Sequence, residues 1–173
     1  YKDDPESILS SACALETYHN YTLLHDDLMD NAPLRRGHQT VHVKWNPNVA
    51  ILSGDSMLVL SYQRMLQCRP DKLKPVIDLF TETALEIGEG QQYDMEFETR
   101  TDVTEEEYIE MIRLKTSVLL ACATKIGAIL ADAPDEDADN LYKFGEQMGL
   151  AFQLQDDYLD VYGDSKVFGK AIG

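Results

Sequence analysis

Two short clusters of aspartate stand far apart in the chain and share the same internal spacing. They are Asp26, Asp27 and Asp30 in DDLMD, and Asp156, Asp157 and Asp160 in DDYLD. In a helix, the first and last aspartate of each cluster point the same way, one turn apart. Their carboxylates repel each other, and the negative end of the helix dipole adds to the repulsion. The arrangement is therefore unfavourable unless a cation is bound.

Mg²⁺ suits such a ligand set, because it prefers hard oxygen ligands and shares its shell with substrate phosphates. If the two helices face each other across a bundle, all the carboxylates converge on one cavity. A solvated acidic surface is the alternative for either cluster alone. The apolar flanks, with Leu23 and Leu24 before the first cluster and Phe152 and Leu154 before the second, favour a metal site instead.

Basic residues near the clusters indicate an anionic ligand. Arg35 and Arg36 follow Asp30 in a loop, and guanidinium groups bind diphosphate oxygens bidentately. Lys115 and Thr116 interrupt an apolar helical run, where a lysine is rare without an anionic partner. Lys170, in a Gly-Lys turn after the last predicted helix, could close on the same diphosphate.

The elements that position these residues are predicted to be helices throughout, with no strand pattern. The first runs from Asp4 and Pro5 to DDLMD, and the loop from 31 to 47 follows it. Further helices are expected from about 48 to 67 and from near 71 through 87 into the GEGQQYDMEFE stretch. Thr104 and Glu107 form a capping box that opens a long helix to about residue 131. Acidic residues 135–139 favour the start of a last helix, which ends near residue 163.

Composition bounds the class of protein. The 173 residues are 44% hydrophobic, enough for a single domain with a core, and the net charge of −16 disfavours nucleic acid and anionic membranes as partners. No apolar run approaches the roughly 20 residues of a membrane span. The widely spaced Cys13, Cys68 and Cys122 indicate reduced thiols and a cytoplasmic protein. No repeats or linkers appear, so residues 1–173 are expected to form one domain.

The motifs together resemble the polyprenyl synthetase family, which includes farnesyl and geranylgeranyl diphosphate synthases. The resemblance runs from DDLMD and the RRG that follows it, through SGD at 53–55 and the Lys115–Thr116 pair, to FQLQDDYLD and the final GK. It implies an all-α, isoprenoid-synthase-type helical bundle around a central cavity. It also implies a Mg²⁺-dependent trans-prenyltransferase that joins isopentenyl diphosphate to an allylic diphosphate, working as a homodimer.

The resemblance also implies residue roles. Asp26, Asp30 and Asp156 would be the principal ligands of roughly three Mg²⁺ ions, with Asp27, Asp157 and Asp160 in support. Arg35, Lys115 and Lys170 would hold the allylic diphosphate, and Arg36 and His19 would help to hold isopentenyl diphosphate. The Thr116 hydroxyl, the Lys115 carbonyl and the Gln153 amide would stabilise the allylic cation. His19 could equally be a core histidine.

Residues before the first cluster are expected to set product length, because the growing chain runs along the first helix away from the metal. Tyr21 and Thr22 lie five and four residues before Asp26, and Tyr18 lies one turn deeper. A ring beside a small group resembles the short-chain synthases, so farnesyl or geranylgeranyl diphosphate is expected. The alternative is that the tyrosines only pack the core.

The sequence departs from the family pattern at both ends. The upstream Gly-Lys-Arg motif and the closing helices of the family are absent, so the chain is expected to be an interior segment, inactive by itself. Three rival functions remain. A terpene cyclase shares the first motif, but its second motif normally mixes Asn, Ser or Thr with acids. A non-catalytic partner subunit would not need repelling carboxylates, and an acidic cation-binding bundle leaves the arginines unexplained.

Overall fold

Helices make up nearly all of the regular structure in the computed structural model, which describes residues 5–162 and the side chains from residue 8 onward. In chain order the elements are α1 (Pro5–Met29), β1 (Leu34–Arg35), β2 (His38–Gln39), α2 (Val41–Lys44), α3 (Pro47–Met65), α4 (Leu73–Phe97), α5 (Glu105–Ile112), a π-helical turn (Arg113–Ser117), α6 (Val118–Leu130) and α7 (Asp135–Tyr162). The predicted all-α class is confirmed. Across residues 5–162, no helix combines the length and the apolar character needed to cross a bilayer.

Local sequence signals set several helix ends. The predicted capping box is confirmed: the Glu107 N–H donates to Thr104 Oγ1 at 3.2 Å, and the Thr104 N–H donates to Glu107 Oε2 at 2.9 Å. An asparagine cap starts α3, where Asn46 Oδ1 accepts from the Val49 N–H at 3.0 Å and Pro47 takes the first helical position. These contacts satisfy N–H groups that a helix start leaves without partners.

Two regions differ from the predicted helical pattern. The loop expected from 31 to 47 contains a short β-hairpin, in which Leu34 pairs with Gln39 and Arg35 with His38, followed by the single turn of α2. The long helix expected after the capping box is interrupted by the π-helical turn, where the Val118 N–H bonds the Arg113 carbonyl five residues back. Such turns insert one extra residue and are frequent at functional sites.

The described residues form two compact units, 5–73 and 74–162. In the first, α1 packs on α3, and fully buried small side chains at Ser11, Ala14, Ala50 and Ser61 contribute to its core.

In the second unit, α6 packs against α7, and the π-helical turn contacts both α5 and α7. Large apolar side chains fill its core, among them Phe80, Ile112, Ile126 and Leu130, each no more than 2% exposed. Burying each such side chain contributes about 1.5–3 kcal/mol. The expectation that residues 1–173 form a single domain stays a prediction.

Candidate active site

The first aspartate cluster lies at the C-terminal end of α1, as predicted, and an arginine holds it. Arg35 Nε donates to Asp27 Oδ1 at 2.7 Å, and its Nη2 donates to Asp26 Oδ2 at 3.3 Å. Asp27 is only 6% exposed, whereas Asp30 follows the end of the helix and is exposed. One guanidinium therefore neutralises two neighbouring carboxylates that would otherwise repel each other.

The hairpin explains why the two adjacent arginines have different surroundings. Arg36 and Gly37 form its two-residue turn, and both have positive φ, 52° and 79°, as a type I′ turn requires. The buried Thr40 closes the loop by donating to the Ala32 carbonyl at 2.6 Å. Arg35, on the strand, reaches back to α1, while Arg36 lies at the exposed tip.

The predicted chain-length residues lie on α1 among aromatic rings. The Tyr21 ring makes edge contacts with Tyr18, at a centroid distance of 5.3 Å, and with His25, at 4.9 Å. Tyr18 is buried and Tyr21 is half-buried. Burial, and then the Asp55 carboxylate, raise the pKa of Tyr21, so its hydroxyl stays neutral. The rings pack against one another as core groups do. The assignment of Tyr18, Tyr21 and Thr22 to the control of chain length stays a prediction.

The glycine of the SGD sequence lies against this aromatic row. His25 Nε2 lies 3.2 Å from the Ile51 carbonyl oxygen on α3, and a Cβ at Gly54 would come within 2.0 Å of the same nitrogen. A larger residue at 54 would therefore displace the ring that directly precedes Asp26. His19 and Thr22 lie beside this row, where the Thr22 hydroxyl donates to the His19 backbone carbonyl at 2.8 Å.

The predicted catalytic pair, Lys115 and Thr116, lies within the π-helical turn in the unit of residues 74–162. Two glycines allow neighbouring helices to approach the backbone of this turn. A Cβ at Gly90 of α4 would lie 2.3 Å from the Lys115 nitrogen, and a Cβ at Gly149 of α7 would lie 2.4 Å from Ser117 Cα. The residues four positions beyond these glycines, Asp94 and Gln153, are one turn further along their helices and reach the pair.

Lys115 has an anionic partner within the chain, whereas its apolar surroundings in the sequence indicated a diphosphate ligand. Its Nζ donates to Asp94 Oδ2 at 2.5 Å, and both side chains are about three-quarters buried. Asp94 was not predicted as this partner, although it lies in the GEGQQYDMEFE stretch into which the third predicted helix continues. The Asp94 carboxylate thus compensates a charge that would be costly to bury alone.

Thr116 and Gln153, predicted to act together, are hydrogen-bonded to each other. The Thr116 hydroxyl donates to Gln153 Oε1 at 2.8 Å, and Gln153 Nε2 donates to Asp157 Oδ1 at 2.8 Å. The Tyr108 hydroxyl of α5 donates to Asp157 Oδ2. Burial, and then this hydrogen bond, raise the pKa of Tyr108. Tyr108 was missed, because only the tertiary packing of α5 on α7 brings it to the second cluster.

The carboxylates of the two aspartate clusters are the donor groups that could bind a metal ion. Asp156 and Asp160 lie on α7, half-buried, at the spacing of one helical turn. Within residues 5–162, no three His, Cys, Asp or Glu side chains are grouped closely enough to hold a metal ion. The hard carboxylate oxygens of both clusters nevertheless fit the chemistry of Mg²⁺, and the metal-ligand roles stay predictions. Lys170 lies outside the described residues.

Comparison with known proteins identifies the family. The family model described as polyprenyl synthetase matches residues 1–173. The chain is 46% identical to a geranylgeranyl diphosphate synthase of Methanosarcina mazei over 96% of this chain and 52% of that protein. It is 42% identical to a geranylfarnesyl diphosphate synthase of Natronomonas pharaonis, over 98% of this chain and 50% of that protein.

A solved structure gives the same result for the fold. The chain matches a geranylgeranyl pyrophosphate synthetase from Pyrococcus horikoshii with a TM-score of 0.93 and 39% identity, over 99% of this chain and 53% of that one. The chain thus spans about half the length of the relatives it matches.

Proposed function

The chain belongs to the polyprenyl synthetase family, and on that premise we propose that the full-length protein is a trans-prenyltransferase that condenses isopentenyl diphosphate with an allylic diphosphate. The observation that carries the proposal is the hydrogen-bonded set of Thr116, Gln153 and Asp157, next to the Lys115–Asp94 pair. This set provides a cation and oriented neutral oxygens in one place. Both are needed by a reaction that separates an allylic carbon from a diphosphate.

Carboxylates of both clusters would hold the metal. Asp26, Asp30 and Asp156 are proposed as the principal ligands of roughly three Mg²⁺ ions, with Asp27, Asp157 and Asp160 in support. Family membership supports a divalent-metal requirement in general. When bound, Mg²⁺ neutralises charge on the departing diphosphate oxygens.

Basic side chains would bind the substrates. Arg35, Lys115 and Lys170 are proposed to hold the allylic diphosphate, and Arg36 and His19 to help hold isopentenyl diphosphate. The contacts of Arg35 support its assignment. Its guanidinium binds two carboxylate oxygens through two of its nitrogens, and the same two nitrogens can bind two diphosphate oxygens. The exposed Arg36 is accessible to a second anion.

The allylic carbon, once separated from its diphosphate, carries positive charge that neutral oxygens stabilise. The Thr116 hydroxyl, the Lys115 carbonyl and the Gln153 amide are the proposed groups, and all come from the π-helical turn and the α7 turn that packs on it. Such preorganised dipoles stabilise charge without reorganising during the reaction. The double bond of isopentenyl diphosphate then attacks, and the released diphosphate takes the proton.

The product is proposed to be a short-chain prenyl diphosphate, farnesyl or geranylgeranyl. Tyr21 is the proposed floor of the chain-length tunnel, with Tyr18 behind it and the small Thr22 beside it. The two ring contacts that hold Tyr21 support this role, because a floor must keep its position against a growing hydrocarbon.

We further propose a cytoplasmic homodimer in which residues 1–173 belong to one domain. Apolar side chains on α3 support the dimer, since Leu52 and Val59 are 66% and 68% exposed in the single chain. Light scattering at micromolar concentration would measure the mass, and a monomer would refute the dimer.

The function is tested by incubating the full-length protein with labelled isopentenyl diphosphate and an allylic substrate, either geranyl diphosphate or farnesyl diphosphate, because a farnesyl synthase extends only the shorter of the two. Incorporation of label into a longer prenyl diphosphate with Mg²⁺, and none with EDTA, is the expected result. Release of a hydrocarbon without incorporation of isopentenyl diphosphate would instead identify a terpene cyclase. No reaction of the folded protein with either substrate would refute the proposal.

A further inference from the structure

Tyr108 makes a contact that the proposed function does not use. Its hydroxyl donates to Asp157 Oδ2, and it joins α5 to the second aspartate cluster on α7. Tyr108 is half-buried. It lies in α5, seven residues before Lys115 and ahead of the π-helical turn. The other oxygen of the same carboxylate accepts from Gln153, so Asp157 links Tyr108 to the residues proposed to stabilise the allylic cation.

The chemistry of these groups gives the chain of hydrogen bonds one direction. An ionised carboxylate can only accept, so Gln153 must present its Nε2 to Asp157. The amide oxygen of Gln153 then faces Thr116, and the Thr116 hydroxyl must donate to it. The reversed amide would set Oε1 against Asp157 Oδ1, two acceptors with no proton between them. The Thr116 hydrogen is thereby directed at Gln153, and the lone pairs of its oxygen point elsewhere.

We propose that Tyr108 is a positioning residue that holds the Asp157 carboxylate in one orientation. This orientation fixes the Gln153 amide, and the fixed amide keeps the lone pairs of the Thr116 oxygen toward the electron-poor allylic carbon. The inference rests on the proposed function, because it assigns a purpose to Thr116 in that reaction. Without the Tyr108 hydroxyl, Asp157 can rotate, the Gln153 amide can turn over, and its Nε2 can then donate to Thr116. The Thr116 hydrogen would be released to point at the developing positive charge, which disfavours the transition state.

Tyr108→Phe in the full-length protein tests the proposal, since it removes one hydroxyl and keeps the ring. We expect kcat to fall about tenfold, the equivalent of one hydrogen bond, with KM for both substrates within about twofold. The rates are compared at saturating Mg²⁺, because Asp157 is also proposed to support metal binding. Tyr142→Phe is the matched control, because Tyr142 is a half-buried tyrosine of the same unit outside this network, and its kcat is expected to equal that of the wild type.

A double-mutant cycle separates positioning from a purely structural effect. In a Thr116→Val background, which lacks the hydroxyl, Tyr108→Phe is expected to have no further effect on kcat. Equal effects of Tyr108→Phe in both backgrounds would overturn the inference.

A binding measurement that needs no turnover gives a second readout. With Mg²⁺ present, calorimetry compares a bisphosphonate that carries an ammonium group with an otherwise similar uncharged one. The wild type is expected to prefer the ammonium compound, and Tyr108→Phe to lose this preference while it binds the uncharged compound normally. Retained preference would overturn the inference. If the wild type makes no prenyl product, the proposed function fails. If the wild type makes product and the kcat of Tyr108→Phe equals that of Tyr142→Phe, only this inference fails.

Discussion

The two aspartate clusters are held in different ways. On α1, Asp26 and Asp27 are bound by the charged side chain of Arg35, which reaches them from a strand of the hairpin. On α7, Asp157 is bound by the neutral donors Tyr108 and Gln153. The first arrangement depends on a long side chain from a loop. The second depends on helices whose backbones come into close contact at glycines.

The difference indicates separate tasks for the two regions. The Arg35 side chain is 34% exposed, so a second anion can reach it from solvent while it holds Asp26 and Asp27. The contacts around the π-helical turn are packed backbone against backbone and cannot yield without moving a helix. The first region is therefore suited to taking up and releasing a diphosphate, and the second to holding fixed dipoles around a reacting carbon.

The largest expected effect comes from removing a carboxylate from either region. Asp26→Ala and Asp156→Ala should each abolish turnover, because each removes a proposed principal metal ligand. Asp78→Ala is the control, since Asp78 pairs with Lys74 in an exposed contact at 2.6 Å. Steady-state assays on the folded variants provide the check. Near-normal turnover by either variant would remove the metal assignment for that cluster.

Two glycines on α4 test the rigidity of the second region. A Cβ at Gly90 would lie 2.3 Å from the backbone nitrogen of Lys115, whereas a Cβ at Gly88 meets nothing within 4 Å. Gly90→Ala should lower the free energy of unfolding by about 1–3 kcal/mol through overpacking. Gly88→Ala should raise it by up to about 1 kcal/mol through better helix propensity. Urea denaturation measures both, and equal stabilities would show that the π-helical turn tolerates movement.

The ion pairs of the first region should matter both for binding and for stability. Arg35→Gln should lower the free energy of unfolding by about 1–3 kcal/mol, because it leaves the buried Asp27 carboxylate without its charged partner. The same change should raise KM for the allylic diphosphate about tenfold, by the loss of one charge-assisted contact. Arg69→Gln, which loses the Asp71 pair on the surface, is the control. A large stability loss with unchanged KM would reverse the roles given to the two regions.

The smallest effect on rate is expected at the aromatic row of α1. Tyr21→Ala should shift the product toward longer chains, because it removes the proposed floor, with modest change in overall rate. Chromatography of the dephosphorylated products measures the distribution. An unchanged distribution in Tyr21→Ala, and again in the double variant with Tyr18→Ala, would mean that chain length is set elsewhere.

Spacing and capping residues predicted much of this structure from the sequence. Three- and four-residue periodicity located the long helices, and the Thr104–Glu107 box marked the start of α5. The need of a buried lysine for an anion indicated an anionic partner for Lys115, which was expected to be a diphosphate and is Asp94 in the structure. The periodicity and the capping box depend on residues a few positions apart, and the lysine argument depends on the cost of burying one charge. All three can therefore be read from a single sequence.

Features that depend on tertiary contacts were not predicted. The π-helical turn follows from packing against Gly90 and Gly149, and neither glycine marks such a turn by itself. Arg36 and Gly37 are a usable signal for a tight turn, but the strands they join are too short to show alternation. Asp94 and Tyr108 reach their partners over separations of 21 and 49 residues, which periodicity does not report.

Thermal melting with a bisphosphonate tests the central claim, that carboxylates of both clusters bind a diphosphate through Mg²⁺. Ligand that binds only the folded protein raises the melting temperature by mass action. The full-length wild type should melt at a higher temperature with bisphosphonate and Mg²⁺ together, and show no shift with bisphosphonate in EDTA. Asp26→Ala and Asp156→Ala should each lose the shift. An equal shift in EDTA, or a full shift in either variant, would contradict the claim.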